Sequence, residues 1–154
     1  MLYPLVTAAG YKRPTMIQNE SKDQRLLHLL RLALQAAEHA YAPYSHFRVG
    51  SALLLSNGEI VTGVNVENVS YGLTLCAERS ALCSAVSRFG PEIKVVAAAI
   101  ANLNNAPSPP CGACRQVLAE FILPDAPVIF PATGGLRTLT FQELLPCSGD
   151  MQLK

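Results

Sequence analysis

Two short stretches of this chain carry residues whose types and spacing suit metal chemistry. Pro110-Cys111-Gly112-Ala113-Cys114 sets two cysteines three residues apart. At the start of a helix that spacing brings both sulfurs to one face. A helix N-terminus also offers free N–H groups and the positive end of a dipole, both of which favour thiolate over thiol. Alone, the pair reads as a redox dithiol or as two ligands of a structural metal. Cys76-Ala77-Glu78, at the start of a second expected helix, supplies a third thiolate. Three protein ligands plus an open position is the arrangement of catalytic zinc, whereas a fourth protein ligand closes the site. Glu78 is no natural fourth ligand and stands where a carboxylate can reach a water at the open position. As an ordinary helix residue it would complement the dipole of the first turn. That accounts for Glu78 alone and leaves the two paired motifs unexplained. With three ligands already found, His46 reads as structural.

Composition bounds the partners. A chain of 154 residues suits one domain and can bury a core without disulfide staples. Half of the residues are apolar and only 15% are charged. A monomer would expose too much of that apolar surface, so an oligomer is expected. The net charge is +1 and no run of Lys or Arg exceeds two, which argues against a nucleic-acid partner. No apolar stretch reaches the roughly 18 residues of a membrane span. The opening MLYPLVTAAG does not read as a signal peptide, because Lys12 and Arg13 follow the apolar run instead of preceding it. A reducing, cytoplasmic setting is expected, where grouped cysteines bind metal more often than they form disulfides.

The elements that must position these residues follow from periodicity and punctuation. Residues 1–20 hold Pro4, Gly10 and Pro14 and show no clear period, so they read as an N-terminal extension before a domain spanning 21–154. Ser21 and Gln24 have the form of a capping box. Leu26, Leu27, Leu29, Leu30, Leu32, Ala33 and Leu34 then make a helix that Pro43 ends. Residues 49–55 and 60–66 read as strands joined at Asn57-Gly58, a strong hairpin signal. A helix is expected over 76–88. The apolar run KVVAAAI at 94–100 suits a central strand covered on both faces. A turn-rich loop at 102–110 leads to a helix over 111–121. Residues 128–130 form a short strand between Pro127 and Pro131, which places it near an edge. Residues 136–139 form another strand, and Thr140 with Glu143 caps a last short helix. The order predicts an α/β fold, a three-layer α/β/α sandwich around a mixed five-stranded sheet.

The pairing of Cys-Ala-Glu at 76–78 with Pro-Cys-x-x-Cys about 35 residues later resembles the signature of the zinc nucleoside and nucleotide deaminases. The segments AERSA, PCGACRQVLAEF and NVEN are similar to those of the small, all-cysteine cytidine deaminases. The resemblance covers residues 21–146. Cysteine at the first ligand position, in place of histidine, points to this tetrameric class and away from polynucleotide editors and deoxycytidylate enzymes. The resemblance implies a cytidine deaminase-like fold with one Zn2+ per subunit held by Cys76, Cys111 and Cys114. It implies hydrolysis of cytidine and 2'-deoxycytidine to the uridine products and ammonia, in pyrimidine salvage. Glu78 would carry a proton from water to ring nitrogen N3 and then to the departing amino group. Arg79 would hydrogen-bond a ligand sulfur.

The same resemblance assigns the substrate contacts. Asn65 and Glu67 would bind the ribose 3'-hydroxyl and Phe47 would stack on the base. Tyr71 would reach a neighbouring subunit's site and Tyr44 would pack at the interface, giving a homotetramer with shared active sites. The partner is then a small nucleoside, with no nucleic acid and no membrane. One departure stands out. Many members carry a phenylalanine three residues after the proline of an LLP motif. Here Cys147, Ser148 and Gly149 follow Pro146, and no aromatic precedes Lys154. The contact over the base is missing or supplied elsewhere, which keeps a modified base, such as a nucleoside antibiotic, as an alternative substrate. Cys83 reads as a small buried apolar residue, and Cys147 has no assigned role.

Overall fold

The computed structural model describes residues 21–147. The extension expected at 1–20 and the tail beyond Cys147 lie outside the described residues. Helix α1 (Lys22–Ala37) opens on the expected box: the Ser21 hydroxyl accepts the Gln24 N–H and the Gln24 side chain accepts the Ser21 N–H. Leu26, Leu29, Ala33 and Ala37 recur at helical spacing and form its buried stripe. The helix ends well before Pro43. The cause is tertiary, because Tyr41 exchanges backbone hydrogen bonds with Asn65 and Glu67 and so leaves the helical path.

Strands β1 (Val49–Leu55) and β2 (Ile60–Val64) form the expected hairpin. The Leu55 carbonyl accepts the Gly58 N–H at 2.9 Å, and the Leu55 N–H reaches the Glu59 carbonyl at 2.8 Å. Gly58, at φ 86, takes the left-handed position that closes this loop. Next come α2 (Ala77–Phe89), β3 (Val95–Asn102), α3 (Gly112–Leu118), β4 (Pro127–Ala132), β5 (Gly135–Thr140) and α4 (Phe141–Leu144). The sheet order is β2-β1-β3-β4-β5, with only the β3–β4 pair parallel. The mixed five-stranded sheet is the one expected.

The period-2 alternation of β3 separates two cores. Ala97, Ala99 and Ala101 pack with Leu26, Leu29 and Ala33 of α1 on one face. Ala98 and Ile100 pack with Ala81, Leu82 and Leu118 of α2 and α3 on the other, and Val95 joins them because the register shifts between it and Ala97. Three layers result, with α1 alone on its side.

Strand β4 lies near an edge, as expected, between β3 and the edge strand β5. Its prolines are tolerated because Pro127 opens the strand and Pro131 faces the loop after β3, where its carbonyl accepts the Ser108 N–H at 2.9 Å. Two local expectations are corrected. Helix α3 stops at Leu118, short of residue 121, because Phe121 turns to accept the Val95 N–H and join the start of β3. Cys83 is exposed, not buried, since Ala81, Leu82 and Ala85 take the sheet-facing side of α2.

One glycine matters for the site. A Cβ on Gly63 would stand 2.2 Å from the Ala81 nitrogen and 2.6 Å from the Ala77 carbonyl oxygen. The first turns of α2 therefore rest directly on β2, and this sets the height of Cys76 and Glu78 above the sheet.

Candidate active site

Two helix N-termini converge on the α2/α3 face. Cys76 is the N-cap of α2 and Cys111 the N-cap of α3, both with extended backbone. Cys114 lies in the first turn of α3, and its N–H donates to Cys111 Sγ at 3.4 Å. The three Sγ atoms lie within 4.8 Å of one another, and Cys76 and Cys111 are 3.8 Å apart. Tetrahedral zinc with bonds of about 2.3 Å sets sulfurs about 3.8 Å apart. A disulfide needs about 2.05 Å, so the cluster is spaced for a shared cation and not for a covalent bond. The donor set and its spacing fit zinc. Among the described residues no other group of this kind occurs, and His46 is exposed and outside it.

The electrostatics favour charge on the sulfurs. A hydrogen bond from the Cys114 thiol, together with the Arg79 guanidinium, brings Cys76 down to about 5 against the opposing effect of burial. The same hydrogen bond, burial and the nearby Glu78 carboxylate push Cys114 up. Cys76 is thus the thiolate of the pair, and a cation would release the proton that Cys114 keeps. Arg79 Nη2 donates to Cys76 Sγ at 3.4 Å and to the Thr74 carbonyl at 3.0 Å. It therefore clamps the ligand sulfur to the loop that leads into α2.

Glu78 is only 5% exposed. Burial raises its pKa, its own N–H works against that, and the Cys76 thiolate adds to the rise. A buried carboxyl shifted upward beside the sulfurs is in the right place to accept and return a proton.

These groups face a cavity of about 420 Å3, within the roughly 300–1,000 Å3 typical of small-ligand sites. Cys76, Ala77, Glu78 and Cys111 line one part of it. Phe47, Asn65, Glu67 and Tyr71 line the rest, with Val49, Ile100 and Ser108. All of the sequence-predicted site residues except the fully buried Cys114 therefore border one cavity. Tyr71 is 86% exposed, at its rim. A separate cavity of about 540 Å3 beside Arg115, Arg137 and Glu143 contains none of the cysteine cluster.

Asn65 and Glu67 are more constrained than their spacing suggests. Asn65 Nδ2 donates to the Phe47 carbonyl at 2.8 Å, and its Oδ1 accepts the Val49 N–H at 2.8 Å. Glu67 accepts the Ser45 hydroxyl and the N–H groups of Tyr44, at 2.9 Å, and Ser45, at 3.2 Å. These donors, the Ser45 hydroxyl first, hold its carboxyl below the usual range. Each side chain keeps unused capacity, namely one N–H and a lone pair on Asn65 and further lone pairs on Glu67. Sequence reasoning missed Ser45, Asn102 and Asn104, which brace this pocket. The turn-rich stretch 102–110 was the only hint, because short polar side chains there bond backbone in ways that carry no period.

An α/β/α sandwich with three cysteines at two helix N-termini, a buried carboxylic acid beside them and a cavity in front defines a zinc hydrolase-type site. Residues 22–129 match the family described as the cytidine and deoxycytidylate deaminase zinc-binding region, and the chain belongs to that family. The cytidine deaminase of Halalkalibacterium halodurans is 49% identical over 119 residues, covering 77% of this chain and 89% of that protein. The cytidine deaminase of Mycobacterium tuberculosis is 50% identical over 100 residues, covering 62% of this chain and 74% of that one. The crystal structure of cytidine deaminase from Burkholderia pseudomallei superposes with a TM-score of 0.72 at 43% identity, covering 79% of this chain and 96% of that one. The expected family and fold are both found.

Proposed function

We propose that this protein hydrolyses cytidine and 2'-deoxycytidine to uridine and 2'-deoxyuridine with release of ammonia, in pyrimidine salvage. The observation that carries the reading is the buried Glu78 beside three clustered sulfurs at the base of a nucleoside-sized cavity. Cys76, Cys111 and Cys114 would hold one zinc ion, which when bound would supply Lewis acidity and lower the pKa of a bound water toward about 7. Glu78 is the catalytic residue: its carboxylate takes one proton from the water whose oxygen bonds to C4 and delivers it to N3. It then takes a second from the new C4 hydroxyl and gives it to the amino group, which leaves as ammonia as the C4–N bond breaks and the C4 carbonyl forms. Arg79 steadies Cys76 and offsets part of the negative charge of three thiolates.

Phe47 stacks on the base, the unused N–H of Asn65 donates to the ribose 3'-hydroxyl oxygen, and a free lone pair of Glu67 accepts the O–H of that hydroxyl. A site that pairs polar groups with a hydroxyl strongly rejects analogues lacking it. Residues 21–154 form the deaminase domain and 1–20 an extension. Tyr71, which lines the cavity, and Tyr44, Val69 and Leu73 are exposed large hydrophobic side chains. Their exposure supports a homotetramer in which Tyr71 reaches a neighbouring site. We place the enzyme in the cytoplasm, where its five cysteines, all free, stay reduced. Among the described residues no helix is long and apolar enough to cross a membrane.

The test is an ultraviolet assay of the purified protein with cytidine. Turnover that stops when a chelator strips zinc, and returns when zinc is restored, supports both the reaction and the metal. Zinc-loaded protein inert toward cytidine but active on another aminated base would replace the substrate.

A further inference from the structure

Phe47 lies ahead of β1, in a stretch without regular secondary structure. Side chains hold its backbone on both edges. On the edge toward β2, Asn65 bonds the Phe47 carbonyl and the Val49 N–H. On the edge toward β3, Asn104 does the same one residue earlier. The Arg48 N–H donates to Asn104 Oδ1 at 3.2 Å, and Asn104 Nδ2 donates to the His46 carbonyl at 3.1 Å. Beside these two bonds the Arg48 carbonyl accepts the Leu103 N–H at 3.1 Å. A primary amide has one acceptor oxygen and two donors, so it can stand in for the next rung of a strand ladder. Asn104 continues the β1–β3 pairing where the backbones stop pairing.

Asn104 is in turn seated by Asn102, which is buried at the end of β3. Asn102 Oδ1 accepts the N–H groups of Asn104, at 2.9 Å, and Ala106, at 3.2 Å. Its Nδ2 donates to the Ala106 carbonyl at 2.7 Å and to Ser108 Oγ at 2.8 Å. Every hydrogen-bonding group of this side chain is used, which makes a rigid anchor. Ser108 and Phe47 both line the substrate cavity. Two asparagines therefore join two walls of the cavity into one frame.

We infer that Asn104 is a positioning residue that holds Phe47 against the substrate cavity, with Asn102 as its anchor. The inference rests on the reading of Phe47 as the aromatic that stacks on the base. His46 sits at φ 57, outside any ladder, so without Asn104 the segment can pivot there and carry the ring away. Glu78 and the cysteines stand on other elements and stay in place. Loss of Asn104 should thus weaken substrate binding and spare the chemical step. Asn104 is exposed, so its replacement leaves the core intact.

The experiment compares Asn104→Ala, Phe47→Ala and the double variant with cytidine. Asn104→Ala should raise KM about fivefold or more, as expected when a pair of hydrogen bonds is lost. Its kcat should stay within about twofold and its zinc content should not change. In the Phe47→Ala background the same substitution should add nothing further. A full Asn104→Ala effect without Phe47, or a fall in kcat at unchanged KM, overturns the inference. A second measurement needs no substrate. The chain has no tryptophan, so Phe47→Trp creates a single reporter. Adding Asn104→Ala should raise its quenching by acrylamide and lower its anisotropy, and no change in either overturns the inference. Absence of cytidine turnover in the parent would remove the substrate reading, while the tryptophan would still decide the positioning.

Discussion

In the proposed reaction Glu78 carries the proton transfers, and its burial makes a clean prediction possible. Glu78→Gln keeps the shape and removes both the proton carrier and the cost of a buried charge. Its kcat should fall by a factor of about 100 to 10,000, the usual range for general acid–base catalysis. Zinc content by atomic absorption should match the parent and thermal stability should not fall. Substantial residual turnover would take Glu78 out of the mechanism. Cys114→Ser tests the metal instead. With one thiolate gone from a buried site, zinc per chain should drop sharply and the melting temperature with it. Full zinc occupancy in this variant would mean that the ion sits elsewhere. Glu78 and the cysteines are legible in the amino-acid sequence, Cys111 and Cys114 by local helical spacing and Cys76 with Glu78 by the family resemblance that pairs the two motifs. Asn102 and Asn104 are not. The Asn104 amide finds its partner 58 positions away, and the bonds of Asn102, though local, lie within a turn-rich stretch that carries no period.

At the scale of elements, the approach of α2 to β2 and the turn before β1 decide where the site stands. Gly63→Ala drives a Cβ into the backbone of α2, where nothing flexible can yield. Overpacking of this kind costs about 1–3 kcal/mol. Urea unfolding should show a lower midpoint, and kcat should fall as Cys76 and Glu78 lift from the sheet. An unchanged midpoint would mean that α2 does not rest on this glycine. The Glu67 brace gives a pH signature. Its carboxyl has a folded pKa below the ordinary 4.5, so the stability it contributes is present above that value and is lost as pH falls through the folded pKa. Glu67→Gln should therefore melt below the parent at neutral pH, and the gap should close under acid. A constant gap across that range would assign the effect to shape and not to charge. For elements, the sequence is a good guide to type and a poorer one to boundaries. Helices α1 and α3 both end early, because Tyr41 and Phe121 leave to pair with distant backbone.

For the whole molecule, the exposed Val69, Tyr71 and Leu73, of which Tyr71 lines the cavity, raise the question of what covers them. Light scattering should give the mass of four chains. Leu73→Asp should yield a smaller species that has lost most of its turnover, because the shared sites come apart. A monomeric parent with full activity would sink the shared-site reading.

Local spacing was enough to establish the element order, the layer architecture and the Cys111–Cys114 pair, which follow from periods of 2 and 3.6 residues or from a separation within one helical turn. Joining Cys76 and Glu78 to that pair, 35 residues away, rested on the family resemblance. Three features needed the folded chain: the strand order of the sheet, the outward face of Cys83, and the backbone bonds of Asn65 and Glu67 within the pocket. Strand order depends on which faces are already covered, and a hydrogen-bond partner depends on which distant segment arrives beside it. Neither is written in the spacing of neighbouring residues.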